Sequence, residues 1–170
     1  MKGRPVFKGL LVLVALVCVI GWSSRRQIDQ GAPLCASDPR PRVTWDYCDK
    51  RAINLQDAKL TGASLRNTVL AGSRLTGADL SSADLAYADL YEVQFAGGVA
   101  RSANFYGANL HAADLSRAVL DNADLRFSDL TNAILNETSL TGARLGNAVW
   151  VTGAQCAPLS VGICVLLGAP

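Results

Sequence analysis

The sequence predicts an all-β solenoid whose coils have four sides of five residues each. Every fifth residue from Leu55 to Trp150 is apolar, and all but Ala100 are large, in twenty consecutive windows without an insertion. The residue two places earlier is nearly always small, and most often alanine. A period of five fits neither a helix nor a simple strand, whose periods are about 3.6 and 2. Each unit is therefore expected to form one side of a square coil, with both apolar positions pointing inward.

The apolar positions predict one continuous core along the repeat. Gly98 and Ala100 leave this core undersized near its middle, where Phe95 and Phe105 lie on opposite sides of the same coil. Large neighbours next to small residues are what a close-packed interior requires, so we expect one helix rather than two domains. The central part of the predicted core ladder consists of Leu80, Leu85, Leu90, Phe95, Phe105, Leu110 and Leu115.

Residues 51–150 resemble the pentapeptide-repeat family, whose units are similar to Ala-Asp/Asn-Leu-x-x. The segments Ala78-Asp79-Leu80, Ala83-Asp84-Leu85 and Ala108-Asn109-Leu110 match this pattern closely. The resemblance implies the family's right-handed quadrilateral β-helix. Because four five-residue sides complete a turn, residues 51–150 would make about five coils.

Residues 1–23 have the pattern of an export signal. Three basic residues lie in the first eight positions, an apolar run covers residues 9–22, and Ser23 offers a small residue at a cleavage site. The run is shorter than the roughly 20 residues of a membrane-spanning helix, which favours a cleaved signal. Because Arg25 and Arg26 follow the run and the cleavage site is poor, an uncleaved membrane anchor formed by residues 9–22 is the alternative.

Four cysteines bracket the repeat, two before it and two after it. The repeat would hold its two ends several coils apart, so local pairing is predicted, with Cys35 joined to Cys48 and Cys156 joined to Cys164. Export would make disulfides the expected state. Buried free thiols and a metal site are the alternatives, although neither histidine nor a Cys-x-x-Cys spacing accompanies these cysteines.

The segments that flank the repeat are predicted to cap its open ends. Residues 24–50 form a linker and N-terminal cap, in which Val43, Trp45 and Tyr47 would cover the first coil, with a binding role for Trp45 and Tyr47 as the alternative. Residues 151–170 form a C-terminal cap with an apolar tail. This tail would either fold back over Trp150, giving a monomer, or dock end to end with a second copy, giving a homodimer.

The charge of the chain excludes several classes of partner. From Ser24 onward there are thirteen Lys and Arg and fourteen Asp and Glu, so the net charge is 13 − 14 = −1. Nucleic-acid binding needs a clustered positive field, and no nucleic-acid partner is predicted. The repeat alone has eight Lys and Arg and ten Asp and Glu, so its net charge is 8 − 10 = −2, which is also far from strongly acidic.

Outward positions supply the candidate interaction surface. The register of the square coil stacks aromatic and basic residues on the side that carries Leu85, and such residues are enriched at protein interfaces. We predict that this patch binds a protein partner. The alternative is that these residues are merely scattered over a solvent-exposed face of the repeat and have no common function. The predicted patch contains Arg66, Tyr87, Tyr106, Arg126 and Phe127.

The next side of the coil carries a polar stack beside the only histidine. Asp89, Asn109 and Asp129 stack there, next to His111. These groups could form a weak metal-binding or hydrolytic site, but Asp and Asn ladders also arise from the repeat alone. No nucleophile motif, phosphate-binding loop or metal signature occurs, so we predict neither an enzyme nor a cofactor.

Together these patterns predict an exported, periplasmic or secreted, non-catalytic scaffold or protein-interaction module whose partner the sequence does not identify. The family resemblance also implies an alternative, mimicry of duplex DNA that modulates a DNA topoisomerase. That activity depends on a strongly acidic surface and a cytoplasmic location. The near-neutral repeat and the N-terminal signal disfavour it.

Overall fold

The computed structural model describes residues 34–167. The predicted signal or anchor, the linker up to residue 33 and the last three residues lie outside the described part. The helix in residues 34–167 is a single 3-10 turn, Leu34–Ala36. Within that range no helix has the length and apolar character needed to cross a bilayer.

Four five-residue units make one turn of the coil, so equivalent residues of neighbouring turns are 20 positions apart. Parallel bridges join each unit to its equivalent in the next turn in an unbroken ladder, from Thr44 with Ser64 to Asp129 with Val149. Each unit consists of a three-residue side and a two-residue corner. Only the middle residue of a side forms a bridge, so the strands of residues 34–167 are isolated bridges rather than the longer strands that an all-β prediction suggests. The corners break the bridge pattern, although most second corner residues still donate an N–H to the next turn, as Tyr87 does to Tyr106 at 2.9 Å.

The corners are tight turns with a fixed backbone conformation. The N–H of the first residue of a side donates to the carbonyl three residues earlier, as Ala88 does to Leu85 at 3.0 Å. The second residue of the corner has a positive φ at all 22 corners from Arg42 to Asn147, sixteen of them non-glycine and six glycine. A type II turn requires a positive φ at this residue. We call this second residue of each corner the second corner position.

Both end residues of each side point into the coil and form the core. The ladder from Leu80 to Leu115 is at most 3% exposed, and Phe95 and Phe105 belong to it. Phe95 fills the space beside Gly98, because a Cβ on Gly98 would lie 2.3 Å from the Cε2 atom of the ring. The remaining cavity beside these rings has a volume of only about 10 Å³, at the lower limit for one water molecule.

At the N-terminal end, the coil begins earlier than the expected start at Arg51. Residues from Thr44 already bridge to the next turn, and Val43 and Trp45 are buried inside it. Lys50 closes this end, with its ammonium nitrogen 4.4 Å from the centre of the Trp45 ring and bonded to the carbonyl of Cys35. Backbone pairing does not require leucine, so the repeat extends beyond its sequence signature.

Tyr47 does not cover the first coil, and its expected role as a cap residue is wrong. The apparent alternation of Val43, Trp45 and Tyr47 breaks because the chain turns after Trp45. Tyr47 therefore occupies a second corner position, with φ of 60° and 78% of its surface exposed. Trp45 alone extends across the end of the core and donates from Nε1 to Ser37.

The C-terminal tail folds back on the last coil in antiparallel fashion. Val149 bridges to Gln155 and Arg144 to Val161, and the N–H of Leu145 donates to the carbonyl of Ser160 at 2.8 Å. The tail thus supplies the backbone partners that a further coil would have supplied. Its large aliphatic side chains point outward, and Leu159 is 92% exposed.

The four cysteines of residues 34–167 lie in two local pairs, one near each end of the coil. The sulfur atoms of Cys35 and Cys48 are 1.96 Å apart, and those of Cys156 and Cys164 are 2.03 Å apart. These are disulfide distances. The pairs close loops between residues 13 and 8 positions apart in the sequence.

Candidate interaction surface

Two sides of the coil carry the candidate functional residues. Side 1 contains residues 83–85 and the corresponding residues of the other turns, and side 2 contains residues 88–90 and their equivalents. Between the two sides runs a corner. Three side chains that project from it form what we call the aromatic ridge: Tyr87, Tyr106 and Phe127.

The rings of the aromatic ridge touch one another in sequence. The ring centres of Tyr87 and Tyr106 are 5.6 Å apart with their planes at 75°. Those of Tyr106 and Phe127 are 5.2 Å apart at 50°. These are edge-to-face and tilted pairs of the kind that aromatic quadrupoles favour. Tyr87 and Phe127 nevertheless stay about half exposed, at 53% and 50%.

The ridge depends on an alternation of large and small residues at the second corner position. Along this corner the residues are Tyr47, Asn67, Tyr87, Gly107, Phe127 and Asn147. The ring of Tyr87 leans over Gly107, where a Cβ would lie 2.7 Å from the ring atom Cε1. Sequence analysis missed Tyr47 as a member of this column, although its position two full turns before Tyr87 was the available signal.

The two arginines of the predicted patch are held by carboxylates of side 1. Arg126 binds Asp124 through two hydrogen bonds, of 2.7 and 2.6 Å, and lies 5.3 Å from the centre of the Tyr106 ring. Arg66 pairs with Asp84 at 2.8 Å. The structure thus brings Arg126 onto the ridge with the three aromatic residues, whereas the contact recorded for the Arg66 guanidinium is with Asp84.

The pKa of Asp124 reflects this arrangement. Partial burial acts to raise the pKa of the carboxyl group, but the hydrogen bonds and the charge of Arg126 outweigh burial. Its pKa is therefore below the ordinary value of 3.8. The carboxylate in turn raises the pKa of Arg126. The pair is ionised at neutral pH and fixes the guanidinium beside Tyr106.

Side 2 carries an open groove next to the ridge. Its floor contains Asn109 and Asp129, one wall is formed by Tyr91 and His111, and Phe127 borders the opposite edge. The groove has a volume of about 360 Å³. It exists because Gly107 and Ala108, between the two walls, have little or no side chain.

The side chains around His111 are not arranged as a metal site. The imidazole stacks on Tyr91, with ring centres 5.6 Å apart and planes at 15°. Asp89 accepts a hydrogen bond from Asn109 at 2.9 Å. In residues 34–167 no group of three or more His, Cys, Asp and Glu side chains could hold a metal ion. The geometry gives no support to the metal-binding alternative at His111.

Comparison with known proteins supports the relationship that the repeat suggests. A family model described as pentapeptide repeats matches eight copies, in stretches 53–90, 88–126 and 118–149. The matched region, residues 53–149, is more than half of the 170-residue chain. A search of curated proteins found no match.

Solved structures of pentapeptide-repeat proteins have the same fold. Rfr23 from the cyanobacterium Cyanothece 51142 is 30% identical, with a TM-score of 0.55, over 63% of this chain and 90% of that protein. A protein of the Arabidopsis thaliana thylakoid lumen is 20% identical, with a TM-score of 0.59, over 68% of this chain and 86% of that one. Both are pentapeptide-repeat proteins, whose fold is a right-handed β-helix. This chain belongs to the pentapeptide-repeat family.

Proposed function

We propose that this protein is an exported, non-catalytic interaction module that binds a protein partner through the aromatic ridge. In this proposal the repeat is a rod of about five coils, with four five-residue sides to a turn. The two disulfides staple its ends. The observation that carries the proposal is the chain of touching rings from Tyr87 through the partly buried Tyr106 to Phe127, whose two ends are about half exposed.

The ridge is ordered before any partner arrives. Its rings support one another, and Arg126 is held by two hydrogen bonds to Asp124. Side chains that are already fixed lose little conformational entropy on binding. Exposed aromatic residues and arginine also contribute a large share of the free energy of many protein interfaces. The ridge therefore combines the composition and the rigidity of a binding surface.

The distribution of charge argues for a protein partner rather than for mimicry of DNA. A DNA mimic presents rows of unpaired carboxylates. On side 1, Asp84 is paired with Arg66, and Asp124 is paired with Arg126 and Arg144. The arginines neutralise the carboxylates of this column, consistent with the near-neutral charge of the whole repeat.

The two cysteine pairs support export to an oxidising compartment, because disulfides persist in such compartments and are rare in the cytosol. The test is alkylation of the protein from its native compartment, without reductant, followed by mass spectrometry. We expect Cys35, Cys48, Cys156 and Cys164 to stay unmodified until reductant is added. Four alkylated thiols in the native protein would refute both the staples and the oxidising location.

The N-terminus of the exported protein decides between the two forms of export. A cleaved signal leaves a first residue near Ser24, whereas an anchor formed by residues 9–22 leaves the protein in the membrane fraction at its full length. Intact-mass measurement of the soluble and membrane fractions distinguishes these results. A full-length protein in the cytosolic fraction would contradict export in either form.

The ridge is tested by site-specific photo-cross-linking in the native compartment. A benzoyl-phenylalanine replaces Phe127 in one variant and Arg117 in the control, because both are second corner positions with positive φ. We expect one protein adduct of defined mass at position 127, lost when Tyr87 and Tyr106 are changed to Ser, and no such adduct at position 117. Equal adducts at both positions would show that the ridge is not a specific surface.

A further inference from the structure

We propose that the groove on side 2 binds a basic side chain, an arginine or lysine, of an extended segment of the protein partner. This inference rests on the proposed function, because it assigns a chemical class to the partner of the surface next to the ridge. It depends on three properties of the groove: its charge, the aromatic residues on one side of it, and the exposed ring of Phe127 at the opposite edge.

The groove is acidic and contains no cation of its own. Asp129 lines its floor, Asp89 lies on the same column two coils earlier and bonds to Asn109, and no lining residue is Lys or Arg. The ion pairs within residues 34–167 involve other carboxylates, those of Asp49, Asp84, Asp121 and Asp124. A cationic ligand would therefore meet carboxylates that no basic side chain of the described part neutralises.

The walls of the groove present aromatic rings to its interior. Tyr91 and His111 line one side of the groove with their rings stacked nearly parallel, and Phe127 borders the opposite edge. Guanidinium and ammonium groups are attracted to aromatic faces, and the planar guanidinium also stacks on them. Glu92 lies beside Tyr91, where its hydrogen bond and charge raise the pKa of the Tyr91 hydroxyl. Glu92 thus adds a third carboxylate near the rim.

Phe127 places an exposed ring at the edge of the groove. Like the other second corner residues, including Tyr47 and Tyr87 of the same column, it has a positive φ, here 61°. Half of its surface is exposed, and it borders the groove whose floor holds Asp129. A cation bound at Asp129 would therefore have an aromatic ring beside it.

The probes that test the inference differ in charge alone. Acetyl-Gly-Arg-Gly-amide carries the guanidinium, and the same peptide with citrulline has nearly the same shape without the charge. His111 is the only histidine of the chain, so its ring-proton NMR signals report on the groove without further assignment. The titrations use the full exported protein at one fixed pH of about 8.

We expect the arginine peptide to shift the His111 signals in a saturable manner, and the citrulline peptide to bind at least about tenfold more weakly. Asp129→Asn and Phe127→Asn should each weaken binding of the arginine peptide by at least about fivefold. Asp114→Asn, the same repeat position on a different side, is the matched control and should leave binding unchanged. The melting temperature of Phe127→Asn is measured alongside, so that the loss of binding is assessed on folded protein.

Equal binding of the two peptides, or no shift with either, would overturn the inference. The result is separable from that of the cross-linking experiment. A specific adduct at position 127 without binding of the arginine peptide refutes the groove alone, whereas peptide binding without an adduct refutes the ridge as the partner surface.

Discussion

The contact between Phe95 and Gly98 gives the sharpest test of the core. Most units of this repeat place Leu where Phe95 lies and Ala where Gly98 lies. In the structure, a Cβ on Gly98 would be 2.3 to 2.6 Å from three atoms of the Phe95 ring. Ring and glycine therefore compensate each other, and the double variant F95L/G98A restores the common pair. We predict that the two changes are strongly non-additive.

The magnitude follows from the packing. Gly98→Ala forces a ring that is only 3% exposed to move, and such overpacking costs about 1–3 kcal/mol. Phe95→Leu removes part of a buried ring and leaves a void, at a cost of about 1–2 kcal/mol. In the double variant the new methyl group enters the vacated space. The free energy of unfolding should then return to within about 1 kcal/mol of the wild type, which is a coupling energy of about 2 kcal/mol.

The assay is urea unfolding followed by circular dichroism for the wild type, the two single variants and the double variant. Gly97→Ala is the matched control, because Gly97 has φ of +66° and a Cβ there would meet nothing within 4 Å. Gly97→Ala should lower the free energy of unfolding by about 1 kcal/mol through the backbone alone. In a double variant with Phe95→Leu, the two losses should simply add. If Gly98→Ala and Phe95→Leu were also additive within about 0.5 kcal/mol, the compensation inferred from the structure would be wrong.

Four further predictions concern the core, an ion pair and the ends of the coil. Phe105→Ala should cost about 3–5 kcal/mol in urea melts through an unfilled cavity, and a loss below about 1 kcal/mol would contradict its inward position. Asp124 has a lowered pKa, so its ionised form stabilises the fold at neutral pH. Asp124→Asn should therefore lower the free energy of unfolding at neutral pH by up to about 1 kcal/mol. That loss should disappear as the pH falls below 3.8 and through the folded-state pKa, which acid melts of both proteins would show. Replacing Cys156 and Cys164 together by Ser should lower the free energy of unfolding by about 2–3 kcal/mol, measured in non-reducing melts, and an unchanged value would mean that the bond is absent from the native protein. Because the C-terminal tail folds back on the last coil, sedimentation velocity should show a monomer; since Leu159 is 92% exposed, self-association that Leu159→Ser reduces would favour the end-to-end homodimer instead.

Much of the fold was predictable because the repeat places every fifth residue in the same environment. The backbone closes a turn after four five-residue units, as the bridges from Thr44 to Ser64 and onward show. A single pattern of Leu and Ala therefore predicts which side chains point inward. The same register predicts that Tyr87 and Phe127 lie on one corner, which is why part of the candidate surface could be recognised from the sequence.

Side-chain contacts between neighbouring coils could not be predicted in this way, because they depend on rotamers. Arg66 and Arg126 have the same place in the repeat, yet the contact that the structure records between an arginine and a ridge ring is that of Arg126 with Tyr106. The groove beside His111 likewise depends on the missing side chain of Gly107 and on the stacking of His111 over Tyr91. The register places His111 one turn after Tyr91, but the near-parallel stacking of their rings depends on their rotamers.

The sequence by itself determined the coil, its inward ladder and the family of the protein, because a regular backbone repeats one local environment many times. Only the tertiary structure decided where the coil begins, that Tyr47 projects outward, and which rings and charges meet on sides 1 and 2. These features arise where neighbouring residues compete for the same space, as Phe95 and Gly98 do. That competition is settled by atomic packing, which a five-residue pattern does not encode.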